Sequence, residues 1–273
     1  MDDRFQRRIQ RYGWDKAAGC YEAGWKHSLA DAQAKLLAMA DARPGEHVLD
    51  IACGTGLVTF PLAEAVGPQG RVVATDISER MIECLRAEAS RRDASNIEAF
   101  RADAERLDML ADSSFDLVTC ALGLMYFPQP LAAMKHIKRV LKPGGRAIFA
   151  VWGARGNCGW AEIFTIVDAR VQSSVCPLFF RLGTGHVLSS EMQAAGLKNI
   201  EETRISTMLP YEDDASALGA AFAGGPVALA YGHFDASTRK SAHAEYLASI
   251  APYRRGKGYR IPGEFVVCTG KVA

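Results

Sequence analysis

A nine-residue stretch, Val48-Leu49-Asp50-Ile51-Ala52-Cys53-Gly54-Thr55-Gly56, most constrains what this chain can fold into. Residues 46–52 form a short apolar run that ends in a glycine-bearing turn, which reads as a strand. Residues 57–66 follow with helical spacing. In that order, strand, glycine turn and helix bring the backbone close to whatever sits above the turn. Glycine adopts positive φ without strain and carries no side chain to block the approach. The start of the helix also presents free N–H groups to acceptor atoms.

The alternation continues. Residues 71–76 read as a second strand, introduced by Gly67-Pro68-Gln69-Gly70. Ser78 is a natural N-cap for a helix over 79–92, with Met81, Ile82 and Leu85 on one face. Residues 96–101 and 115–121 read as the third and fourth strands. A helix over 131–141 is stopped by Lys142-Pro143-Gly144-Gly145, and 146–151 is a fifth strand. Strands alternating with helices imply an α/β fold, doubly wound and Rossmann-like, with a mostly parallel sheet. Two further strands, 199–209 and 264–271, make it seven-stranded. Residues 154–188 read as irregular, 189–195 as a helix and 213–258 as helical, so insertions follow the fifth and sixth strands. The expected organisation is one domain over 1–273: a helical lid (1–43), a core (44–153) and a substrate cover with the last strands (154–273).

Composition narrows the function. The formal net charge is +1, with 32 basic and 31 acidic residues, which argues against a nucleic-acid footprint. The basic runs 4–11 and 254–257 read as solvated faces. No stretch approaches the roughly 20 apolar residues of a membrane span. The opening Met1-Asp2-Asp3-Arg4 has no apolar signal core, so a cytoplasmic protein is expected. Seven cysteines without a Cys-x-x-Cys pair read as reduced, mostly buried thiols, with no metal site expected.

The turn 48–56 resembles the first motif of class I S-adenosylmethionine (SAM)-dependent methyltransferases, an acidic residue followed by x-Gly-x-Gly-x-Gly, with Ala52 in place of the first glycine. The resemblance is ordered over about 46–151, and its flavour is that of the ubiquinone/menaquinone-biosynthesis type. It implies SAM as cofactor and methyl transfer to a small molecule by in-line displacement, with no metal required. By position it implies that Ala52, Gly54 and Gly56 cradle the amino-acid end of SAM, with Asp50 serving its ammonium side through a short hydrogen-bond path. Asp76, with Ile77 beside it, would accept from the ribose hydroxyls, and Asp103 and Ala104 would hold the adenine, while Glu105 reads as a solvated neighbour. Cys120 would lie beside the cofactor at the end of the fourth strand, and Tyr21 in the lid would face the sulfonium. Trp14 and Trp25 read mainly as packing.

No catalytic base is evident; His27, His186 and His233 fall in segments that could cover the pocket. A homodimer stays open. Three other readings compete with methyl transfer. A SAM-binding regulatory or partner subunit would keep the motifs without turnover. An NAD-dependent oxidoreductase would need a third glycine where Thr59 stands. An arsenite methyltransferase would need Cys20, Cys53, Cys120, Cys158 and Cys176 to converge. The Asp/Asn-Pro-Pro-Tyr/Phe clamp of DNA amino-methyltransferases is replaced by Cys120-Ala121-Leu122-Gly123.

Overall fold

The computed structural model describes residues 3–171 and 178–273. Three helices come first: α1 (Asp3–Ala17), α2 (Tyr21–Trp25) and α3 (Ala30–Ala40). The core then alternates as expected: β1 (His47–Ile51), α4 (Thr59–Val66), β2 (Arg71–Asp76), α5 (Glu79–Arg91), β3 (Ile97–Arg101), β4 (Phe115–Ala121), α6 (Pro130–Val140) and β5 (Leu141–Trp152). The remainder holds α7 (Glu162–Asp168), α8 (Val187–Ala194), β6 (Lys198–Tyr211), α9 (Asp214–Leu218), α10 (Ala228–Tyr231), α11 (Ala236–Ile250), β7 (Arg254–Arg255) and β8 (Gly258–Lys271).

The sheet order is β3-β2-β1-β4-β5-β8-β6, with the two-residue β7 pairing only to β8. Strands β1 to β5 run parallel, and β8 lies antiparallel between β5 and β6. The fold is therefore the doubly wound, Rossmann-like, mostly parallel sheet read from the sequence. Its seven-strand path is extended by one short pair.

Burial on both faces explains why the central strands are apolar throughout. Val48, Leu117, Ile148 and Val267 pack on one face against Leu36 of α3 and Leu62 and Val66 of α4. Leu49, Val118 and Phe149 pack on the other against Met134 and Ile137 of α6. Ser78 caps α5 as expected, its Oγ accepting from the Met81 N–H at 3.1 Å. The same hydroxyl donates to Asp15 Oδ1 at 2.7 Å, and the Arg80 N–H donates to that oxygen at 3.2 Å. A lid carboxylate thus sits on the N-terminus of α5, where the helix dipole favours negative charge.

Two expectations are corrected. The fifth strand begins at Leu141, not 146: Leu141 pairs with Phe115, the chain bulges through Gly144 at φ 76°, and pairing resumes at Arg146 opposite Leu117. Residues 154–188 are not irregular throughout. Ile163, Phe164, Ile166 and Val167 are buried along α7, because the apolar face of that helix covers the aromatic cluster around Trp160. Among the described residues, no helix is long and apolar enough to cross a membrane.

Candidate active site

Strand order reverses between β1 and β4, and ligands of open α/β sheets bind in the crevice outside such a switch point. A cleft with about 760 Å³ of empty space opens there. Its floor is made by the ends of four strands: Ile51, Ala52 and Gly54 after β1; Thr75, Asp76 and Ile77 at β2; residues 102–105 after β3; and residues 121–123 after β4. Its roof is the N-terminal segment, through Arg7, Gln10 and Trp14 of α1 and Tyr21 of α2.

The turn holds the strain the sequence implied. Gly54 has φ 56°, and Ala52 has φ 54° although it bears a Cβ. A left-handed alanine costs about 1–2 kcal/mol, and such strain gathers at functional sites. A Cβ added to Gly54 would stand 3.8 Å from Tyr21 Cε1, so the bare glycine keeps the space beneath the roof open.

Asp76 is the best-anchored acid in the cleft. Its Oδ2 accepts from the Gly54 N–H at 3.0 Å and its Oδ1 from the Ser78 N–H at 2.9 Å. Each oxygen keeps a lone pair for a ligand. Burial pushes its carboxyl up to about 6, against the pull of those N–H donors. Tyr21 lies opposite; burial first, then the Asp76 and Glu22 carboxylates, push its phenol up and keep it neutral.

Beyond β3, Asp103 Oδ1 accepts from the Glu105 N–H at 3.0 Å, and its Oδ2 lies 3.4 Å from Arg7 Nε. Glu105 is a correction. It is buried, ion-paired to Arg7, and accepts from the Gln129 N–H. The roof is thereby clasped to the loop after β3. Arg7, Gln10 and Trp14 share one face of α1 at spacings of three and four, a signal that reading 4–11 as a solvated run overlooked.

Ala52, Gly54, Asp76, Ile77, Asp103, Ala104 and Tyr21 all line the cleft. Asp50, Gly56 and Cys120 do not line it. Asp50 lies beneath the turn and accepts from Thr59 Oγ1 at 2.6 Å and Thr119 Oγ1 at 2.7 Å, tying β1 to α4 and β4. Burial pushes its carboxyl up to about 6. Gly56 has φ 100°, and a Cβ there would meet the Phe60 ring at 2.6 Å, so α4 packing demands this glycine. Cys120 is fully buried, and that burial raises its thiol.

The three histidines do not converge on the cleft. His27 is exposed in the turn after α2. His186 is exposed and has its Nδ1 3.0 Å from Glu202 Oε1. His233 lines an outer groove with Phe5 and Tyr12. Among the described residues, no three histidine, cysteine or acidic side chains gather as metal ligands; Cys176 lies outside the described residues.

Residues 48–145 match the family model described as a methyltransferase domain. Over these residues, about a third of its length, the chain is similar to the class I SAM-dependent methyltransferase family. It is 38% identical over 133 residues to nocamycin O-methyltransferase of Saccharothrix syringae, covering 49% of this chain and 47% of that protein. To demethylmenaquinone methyltransferase of Lactococcus lactis it is 44% identical over 104 residues, covering 38% and 41%. The matches thus span about half the length of these curated relatives or less. The YcgJ protein of Bacillus subtilis shares the fold at TM-score 0.62 and 18% identity, over 89% of this chain and 98% of that one.

The cleft fits the cofactor of that family. Asp76, Asp103 and Glu105 face a single cation, Arg7, which is already paired to two of them. An acidic cleft suits an ammonium and a sulfonium and repels the pyrophosphate of a dinucleotide. Thr59, at the place of a third Rossmann glycine, instead donates to Asp50, which removes the ground for an NAD site.

Proposed function

We propose that this chain, working as a single cytoplasmic domain, transfers a methyl group from SAM to a small-molecule acceptor. Asp76 carries the reading: a buried carboxylate at the end of β2 that lines the cleft, with both oxygens fixed by backbone N–H groups. It would accept from the ribose hydroxyls, with Ile77 packed alongside. Asp103 and the Ala104 N–H would hold the adenine, and Ala52 and Gly54 the amino-acid end. When bound, SAM supplies an already activated methyl group. The chain's own task is to orient the acceptor and exclude water. Trp14 and Tyr21, packed edge to face at 5.8 Å, roof the cleft and do the excluding.

The acceptor is a small organic molecule, in keeping with the near-zero net charge. The test is release of S-adenosylhomocysteine from SAM across a panel of phenols, amines, thiols and enols. Release matched by methylated product supports the reading. Tight S-adenosylhomocysteine binding with no turnover on any acceptor would turn it toward a non-catalytic subunit.

A further inference from the structure

A second cavity, with about 330 Å³ of empty space, adjoins the cofactor cleft and shares Trp14, Tyr21, Leu122 and Tyr126 with it. Trp25, Trp152 and Trp160 form its far wall, so all four tryptophans of the chain line this one space. They brace each other: Trp152 and Trp160 lie 4.7 Å apart, Trp25 and Trp160 5.8 Å. The rest of the described lining is leucine, methionine, phenylalanine and proline.

Two features define what such a space takes. First, among its described lining residues there is no carboxylate, imidazole, amine or guanidinium. No side chain there removes a proton from an acceptor, and Tyr21 holds its own proton more tightly than a free phenol. A cationic acceptor could gain contacts with the ring faces but would lie beside the sulfonium, which repels it; an anionic acceptor is attracted by the same charge. Second, Trp160 is nearly fully buried, and its Nε1–H has no hydrogen-bond acceptor. Buried indole N–H groups ordinarily find one, so an oxygen on a bound molecule would meet an unfilled requirement.

We propose that this cavity is the acceptor site and takes a planar aromatic or conjugated hydroxyl compound, bound as its phenolate or enolate, whose oxygen receives the methyl group. The proposal rests on the SAM reading above. The acceptor proton goes to solvent before binding. An oxygen–carbon bond then forms as the sulfur–carbon bond breaks, and the electron pair of that bond stays on sulfur, leaving neutral methyl ether and thioether. The acceptor's own ionisation replaces a catalytic base, which is why none of the histidines needs to reach the site. Trp160 is the specificity-determining residue, through its indole N–H.

Because all four tryptophans border the cavity, intrinsic fluorescence reports its occupancy without turnover. The protein is saturated with the amine-bearing SAM analogue sinefungin and titrated with pentafluorophenol, 4-cyanophenol, phenol and phenyltrimethylammonium between pH 6 and 9. Quenching by pentafluorophenol that stays flat with pH, and by 4-cyanophenol that strengthens by roughly two orders of magnitude from pH 6 to 9 as that phenol ionises, is the expected result. Trp160→Phe is expected to weaken phenolate binding at least tenfold while leaving S-adenosylhomocysteine affinity within twofold. Preferential binding of phenyltrimethylammonium, or phenol affinities that ignore phenol ionisation in the unaltered protein, overturns the proposal. Absence of sinefungin and S-adenosylhomocysteine binding would instead overturn the cofactor reading beneath it.

Discussion

Replacing Asp76 by asparagine separates the two jobs that the structure gives this side chain. In the free protein its two oxygens accept from the Gly54 and Ser78 N–H groups at 3.0 and 2.9 Å. Asparagine keeps one acceptor and turns an NH₂ toward the other donor. Leaving a buried donor unsatisfied costs about 1–3 kcal/mol. For a chain somewhat larger than 150–250 residues, where each kcal/mol shifts Tm by roughly 2–4 °C, the melt should fall by several degrees. With ligand, the variant also loses a charge-assisted hydrogen bond to ribose, worth about 1.5–3 kcal/mol, or roughly 10- to 150-fold in Kd. Calorimetric titration with S-adenosylhomocysteine, beside a thermal melt of the free variant, measures both. A lowered Tm with S-adenosylhomocysteine affinity unchanged within twofold would refute the ribose assignment and leave Asp76 as a loop anchor.

Three further outcomes follow from the same geometry. Burial raises the Asp76 and Asp50 carboxyls to about 6, so each holds its proton more tightly folded than unfolded. Their contribution to stability is present at low pH and lost as pH rises through about 6. Acidification from pH 7 to 5 should therefore stabilise the free protein at these two groups while weakening S-adenosylhomocysteine binding about tenfold, if the ionised Asp76 is the ligand; affinity flat over that range contradicts the assignment. Gly123→Ala would place a Cβ 2.3 Å from Ala52 Cβ, and should cost about 1–3 kcal/mol and distort the cleft floor, read as lowered Tm and weaker binding. Arg7→Ala leaves the buried Glu105 carboxylate without its cation, and should cost about 2–3 kcal/mol and make α1 more susceptible to limited proteolysis.

Much of the site could be read because its requirements are local. Positive φ at the turn after β1 calls for glycine or a small residue, and acids at strand ends keep fixed offsets from it, so Gly54, Asp76 and Asp103 were legible one by one. What the sequence hid depends on the third dimension. Asp50 looks like a ligand group because it stands beside the turn, yet its side chain points to Thr59 of α4 and Thr119 of β4. Arg7 looks like one charge in a basic run, and only helix packing turns it onto Glu105. The aromatic box joins residues from α1, α2, β5 and the segment before α7, whose separation in the chain carries no pattern linking them. His27, His186 and His233 show the converse: lying in segments that cover the pocket did not bring any of them into it.

The central claim is that the cleft beyond β1 and β4 is built for SAM. Calorimetric titration of the purified protein with S-adenosylhomocysteine, and separately with NAD, tests it most directly. The account predicts one S-adenosylhomocysteine bound per chain with micromolar affinity and no heat from NAD; NAD binding, or the lack of any S-adenosylhomocysteine binding, would contradict it.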